Sequence, residues 1–191
     1  VNTDLERIFS SLDDVAWGKL QHAYGSAADV PALIRALTSP DTSARNDAWY
    51  ELHGNLWHQG TIYEATAPAV PILLQLLQAQ AVPDKYQIII YLARLFSGRS
   101  YWDAHKDLKT SRYEVSKPDF QGTLRRELSC VEATKDAIRA GNRTYMQLLR
   151  AEEVGLRIAA AYLLGLIGES ENAVLEAITE SSERLGDPAR S

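Results

Sequence analysis

The nine residues Asp29-Val-Pro-Ala-Leu-Ile-Arg-Ala-Leu37 (DVPALIRAL) decide how the rest of the chain is read. Val30, Leu33, Ile34 and Leu37 fall at i, i+3, i+4 and i+7, the apolar stripe of a helix. An Asp stands before it and a Pro in its first turn, which are start signals. The pattern returns as Val70-Pro71-Ile-Leu-Leu-Gln-Leu-Leu77, 40 residues on from Val30. Downstream of each copy, Ala44-Arg45 to Leu52 lines up with Asp84-Lys85 to Leu92 at the same offset. Two segments sharing one offset define a repeated pair of helices.

A third copy of the second helix runs from Leu156 to Gly168, with Arg157, Ala160 and Leu164 matching Arg45, Ala48 and Leu52. It lies 72 residues beyond the second copy, from Lys85 to Arg157, so about thirty extra residues interrupt the array. These are placed at Arg99 to Cys130. The expected layout is one domain over 1–191: N-terminal cap helices (1–28), repeats over 29–60 and 61–98, an insertion over 99–130, a repeat over 131–169, and a C-terminal helix and tail (170–191). Asp4–Phe9 and Val15–Tyr24 are the expected cap helices. Glu171–Leu185 is the expected last helix. No segment alternates apolar and polar residues over a useful length, so no sheet is expected.

The Arg, Ala and Leu spacing, ending in Leu-Gly-Leu-Ile-Gly168, resembles the second helix of a HEAT repeat. The runs AYGSAADVPALIRAL, NLWHQGTIYEATAPAVPILLQLL, SGRSYWDAH and RIAAAYLLGLIG together resemble a bacterial, actinomycete-type HEAT-repeat protein family of unsettled function. The resemblance covers nearly the whole chain. It implies an all-α fold: a right-handed α-solenoid of HEAT-like antiparallel helix pairs, here with an inserted loop.

Composition bounds function by exclusion. Of 191 residues, 46% are hydrophobic and 24% charged, as in an ordinary globular protein. No apolar run reaches the roughly 18 residues that span a bilayer and no signal peptide opens the chain, so a cytoplasmic protein with no membrane partner is expected. A net charge of −5 opposes generic binding to nucleic-acid phosphates. A single cysteine, Cys130, excludes an internal disulfide and a cysteine zinc site.

Enzymatic signatures are missing. There is no G-x-S-x-G elbow, no phosphate-binding glycine loop and no His-Glu dipeptide of the kind di-iron HEAT-like hydroxylases use. His22, His53, His58 and His105 are scattered, and His53 and His58, five apart, point about 140° away from one another around a helix. No catalytic residue, cofactor or metal is therefore expected. A Trp/Asp/Arg glycosylase channel conflicts with the acidic balance, and Trp49 falls on a stripe that should be core.

Two segments remain as candidate sites. In His58-Gln-Gly-Thr-Ile-Tyr-Glu-Ala-Thr66, Thr61 and Glu64 fit an S/T-x-x-E capping box and Gly60 can close the preceding helix, so the segment reads as a joint. Pro68 and Pro71 are expected to bend the helix that follows. His58, Gln59 and Tyr63 exceed what a joint needs. The insertion carries seven basic against five acidic residues, with Tyr101, Trp102, Tyr113 and Phe120 interleaved. Aromatic and Arg residues mixed in this way are what interface anchors favour. The expected partner-binding residues are thus Tyr101, Trp102, Arg112, Tyr113, His58, Gln59 and Tyr63, on a non-enzymatic scaffold or adaptor that binds another protein through its concave face and the insertion. A plainer reading pins Tyr101, Trp102 and Phe120 onto the solenoid and leaves the charges solvated. The same residues also admit a toxin-neutralising immunity or inhibitor protein, and an enzyme or nucleic-acid-acting protein using His58 to Glu64.

Overall fold

The structure is a computed structural model that describes residues 3–107 and 118–168, together with Asn172, Leu175 and Thr179. Arg112, Tyr113 and most of the expected C-terminal helix lie outside the described residues. Those described are mostly helical: α1 (Thr3–Asp13), α2 (Val30–Ala36), α3 (Thr42–Asn55), α4 (Thr66–Gln78), α5 (Lys85–Phe96), α6 (Tyr101–His105), α7 (Phe120–Arg139), α8 (Asn142–Leu148) and α9 (Val154–Ile167). No helix among them is long and apolar enough to cross a membrane.

The repeated stretches fold as helices, and of the three pairs two agree in length while α4–α5, with 13 and 12 residues, does not. The pair α2–α3 has 7 and 14 residues, and α8–α9 has the same two lengths. Burial follows the register: Leu52, Leu92 and Leu164 are each 0% exposed. The arginine at the start of the second helix explains why the turns agree. Arg45 Nη1 donates to the carbonyls of Ser39 and Pro40 at 2.9 and 3.2 Å. Arg157 Nη1 donates to those of Ala151 and Glu152, both at 2.8 Å, again six and five residues upstream. One long cation thus satisfies the carbonyls left over at the interhelix turn. Arg45 Nε also reaches Asp84 Oδ2 at 2.8 Å, tying the first pair to the start of α5.

The core runs through all the pairs. α9 packs along α5 and α7 along α4, with the small buried residues Ala93, Ala159 and Ala160 permitting close helix approach. Trp49 is buried, as its stripe predicts, and meets Tyr91 edge-on at 5.4 Å. Tyr91 is wholly buried and its hydroxyl donates to the Leu52 carbonyl at 2.6 Å.

Three expectations are corrected. Val15–Tyr24 is not a helix: only Trp17–Lys19 forms a 3-10 turn, and the chain then makes a β-hairpin, β1 (Gln21–His22) with β2 (Gly25–Ser26). A second hairpin pairs β3 (Trp57–His58) with β4 (Thr61–Ile62). The expectation of no sheet therefore fails, because ribbons with two-residue strands are too short to show alternation and are held by neighbours in space. The amide of Ala65 donates to Gln21 O, that of Ile62 to Arg99 O, and that of Arg99 to Gly60 O. Finally, the 99–130 segment is not one loop. Tyr101–His105 and Phe120 onward are helical, and α7 runs straight through the boundary expected at Cys130.

Candidate functional site

The HQGTIYEAT segment is a joint, but not by a capping box. Gln59 and Gly60 have φ of 51° and 86°, the two positive values that a type I′ hairpin turn requires. Thr61 lies buried in β4, and α4 starts only at Thr66. It is the Thr66 hydroxyl that stitches the joint, accepting from Tyr63 N at 3.1 Å and donating to Leu56 O at 2.7 Å. Glu64 accepts from Gln21 N of the first hairpin at 3.3 Å rather than capping its own helix. The segment needed two positive-φ residues where a helix closure needs one, and so folded back as a ribbon.

The turn delivers Tyr63 and Glu64 to one wall of a groove. The opposite wall is α7, and α6 closes the end. Ser100 caps α6, its Oγ accepting from Asp103 N at 3.0 Å and donating to Asp103 Oδ2 at 3.1 Å, which fixes Tyr101 and Trp102 in the first turn. Trp102 N donates to Glu127 Oε2 of α7 at 3.0 Å, and the Trp102 ring meets Phe120 edge-on at 5.0 Å. Tyr101 stacks on His105 at 4.2 Å.

The groove has two lobes. The first, of about 370 Å3, is lined by Tyr101, Trp102, Pro118, Asp119, Phe120, Thr123, Leu124 and Glu127. The second, of about 280 Å3, is lined by Gln21, Thr61, Ile62, Tyr63, Glu64, Arg126 and Cys130, and it shares Tyr101, Thr123 and Glu127 with the first. The first lobe is the more aromatic, and both carry carboxylates: Asp119 and Glu127 line the first, Glu64 and Glu127 the second, where Arg126 also stands. Arg126 faces Asp119, the residue before α7, at 3.0 Å.

Electrostatics limit the chemistry available here. Burial, reinforced by the charges of Glu64 and Glu127, pushes the Cys130 thiol up. It stays protonated and is no nucleophile at neutral pH. Burial is also the main cause that raises the Tyr63 phenol, so it offers a neutral hydroxyl. Elsewhere, His22 accepts from Tyr24 N at Nδ1 (3.0 Å), leaving Nε2 to donate to Asp29 at 3.0 Å. Asn55 donates to the same carboxylate at 2.7 Å. This His–Asp pair braces the first hairpin, and its ring has no lone pair left to act as a base. Burial and then Arg94 lower His53 to about 4, between Trp49 and Tyr91. Among the described residues no three His, Cys, Asp or Glu side chains converge as metal ligands.

Of the residues singled out from sequence, the fold brings Tyr63, Tyr101 and Trp102 together in the groove. His58 and Gln59 are not among its lining residues. His58 meets Tyr24 instead, ring to ring at 5.3 Å, with Nδ1 and the phenol oxygen 3.2 Å apart. Gln59 is exposed at the turn. The α7 contributors Thr123, Leu124, Glu127 and Cys130 were missed as site residues. The Ser100-Tyr-Trp-Asp103 capping pattern signals only α6, and the start of α7 has no side-chain cap that would have marked it. Comparisons with family models, curated proteins and solved structures return no match to this chain.

Proposed function

We propose that this chain is a non-enzymatic protein-binding module, a scaffold or adaptor built as an α-solenoid of HEAT-like helix pairs. The groove carries the functional reading: an open aromatic cleft, walled by Tyr101, Trp102 and Phe120 and flanked by a second lobe lined by Tyr63, Glu64 and Arg126. Buried aromatic pockets rimmed by polar groups are where interface anchors seat. The groups with catalytic potential are occupied otherwise, His22 in bracing a hairpin and Cys130 held as a thiol.

The matched lengths of α2–α3 and α8–α9, and the shared turn bonds of Arg45 and Arg157, support the repeat architecture. A second surface fits the same function. Tyr50, Ile90 and Tyr162 occupy equivalent repeat positions on α3, α5 and α9, and all three are exposed, at 79, 42 and 60%. Successive second helices thus leave an apolar residue exposed at the same repeat position, which a binding solenoid would use.

The experiment is site-specific photocrosslinking in cells, with benzoylphenylalanine at Thr123 in the groove and at Glu6 on α1 as a control. A protein adduct from Thr123 alone, lost on Tyr101→Ala and Trp102→Ala with the circular dichroism spectrum unchanged, is the expected result. No Thr123 adduct, or one indifferent to both substitutions, overturns the proposal.

A further inference from the structure

We propose that two copies of this chain pair through α9, antiparallel and related by a two-fold axis at Ala160. The surface is separate from the groove, and the proposal does not rest on it.

α9 differs from an ordinary solvent-facing helix. Arg157 is its only charged residue, and that guanidinium is held by the Ala151 and Glu152 carbonyls. Val154, Ile158, Tyr162 and Leu166 follow one another at every fourth position and are 56, 64, 60 and 36% exposed. With Gly155 and Gly165 they fall within an arc of about 120° around the helix. A helix that is apolar on every side is normally covered. A further helix pair stacked after α9 would leave Tyr162 open, because Tyr50 and Ile90, its repeat counterparts on α3 and α5, stay exposed although a pair follows each.

The glycines point to a close neighbour. A Cβ on Gly165 would meet nothing within 4 Å, and one on Gly155 would meet only Glu153 Oε1 at 3.6 Å. The chain's own packing therefore requires neither glycine, and glycine weakens a helix. What it offers in return is room for another backbone to approach.

Symmetry and charge select the occupant. These residues are spaced symmetrically about Ala160, so an antiparallel second α9 sets Val154 against Leu166, Ile158 against Tyr162 and Gly155 against Gly165 of the copy. A strongly acidic or basic partner would find no opposite charge on this arc. Two copies, each of net charge −5, meet here without opposed carboxylates, because α9 contains none. The arc exposes roughly 400 Å2 per copy, half of what each side of a standard interface buries, so the dimer is expected to be weak, with Kd on the order of 10 µM.

The test is sedimentation equilibrium of the full chain from about 1 to about 300 µM, which brackets that Kd. Wild type should pass from monomer to dimer, and Tyr162→Asp should weaken the dimer at least about tenfold. Gly165→Leu should weaken it as much, while the melting midpoint of the dilute chain holds or rises, since the new side chain enters open space and favours the helix. Leu128→Asp, an exposed position on α7, should leave the dimer unchanged. In a Cys130→Ser background, oxidation should link Ile158→Cys chains to Tyr162→Cys chains. It should not link Val154→Cys chains to one another, whose residues 154 stand about 18 Å apart along the paired helices. A chain that stays monomeric throughout overturns the proposal, whether its own residues after Gly168 or another protein cover α9. So does a dimer indifferent to either Tyr162→Asp or Gly165→Leu, and so does self-linking of Val154→Cys. None of these results touches the reading of the groove.

Discussion

Replacing Arg45 by Met removes the group that closes the turn between α2 and α3 and ties it to α5. Arg45 is 8% exposed and makes hydrogen bonds to two backbone carbonyls, to Thr42 Oγ1 at 3.1 Å and to Asp84 Oδ2 at 2.8 Å. Charge-assisted bonds of this kind contribute about 1.5–3 kcal/mol each where fully desolvated. The Asp84 side chain is 34% exposed, and the turn carbonyls can recover water. The sum therefore shrinks to about 2–3 kcal/mol. For a chain of this size that is a fall in Tm of roughly 4–12 °C.

Arg157 makes the same two carbonyl bonds but, among the described residues, lacks the carboxylate that Asp84 offers Arg45, so Arg157→Met should cost only about 1 kcal/mol. Urea denaturation of both variants, together with Asp84→Asn and the Arg45→Met/Asp84→Asn double variant, separates the terms. Asn suits Asp84's left-handed backbone, φ 50°, and so removes the charge without adding strain. A coupling of about 1 kcal/mol between positions 45 and 84 is expected. Equal losses for Arg45→Met and Arg157→Met, or a loss under about 0.5 kcal/mol for the former, would refute this account of the turn.

Three further outcomes can be checked by equilibrium unfolding. The folded pKa of His53, about 4, lies below its unfolded value of 6.5. Its contribution is therefore complete above pH 6.5 and is lost as the pH falls from 6.5 to 4, by about 1–2 kcal/mol once solvent screening of a half-buried ring is allowed for. His53→Phe should flatten that part of the pH profile, and an unchanged slope would assign it to other groups. Gly60 has φ of 86° with open space around its Cα, so Gly60→Ala should cost about 1 kcal/mol through backbone strain alone, whereas Gln59→Asn should be neutral or stabilising by a few tenths. A Cβ on Gly98 would collide with the Ile62 side chain and crowd Leu95 O, so Gly98→Ala should cost about 1–3 kcal/mol and shift the Ile62 methyl resonances beside the groove; no shift would contradict the packing described.

How much was legible from sequence depended on how local the cause was. The stripes that bury Ile34, Leu52, Leu73, Leu92 and Leu164 follow from a period of 3.6 within single helices, and the turn arginines reach carbonyls only five or six residues away, so both could be read along the chain. Tyr63, Tyr101 and Trp102 stood out as residue types that a joint or a solvated loop does not require. The hairpins were hidden because a two-residue strand has no period, and bonds that hold it involve Gln21, Glu64 and Arg99, distant in sequence from the ribbon they support. The first half of α7 was hidden for a related reason. Its sides face a groove and solvent, so Phe120 to Cys130 shows no continuous buried stripe, and Val131, Thr134 and Ile138 supply one only later. Sequence by itself determined the helices at the repeated stretches and the aromatic residues that stand in the groove. Tertiary packing alone decided that α7 would cross α4 and bring Thr123 and Glu127 against Tyr63 and Tyr101, because a groove between elements some 60 residues apart has no periodic trace in either of them.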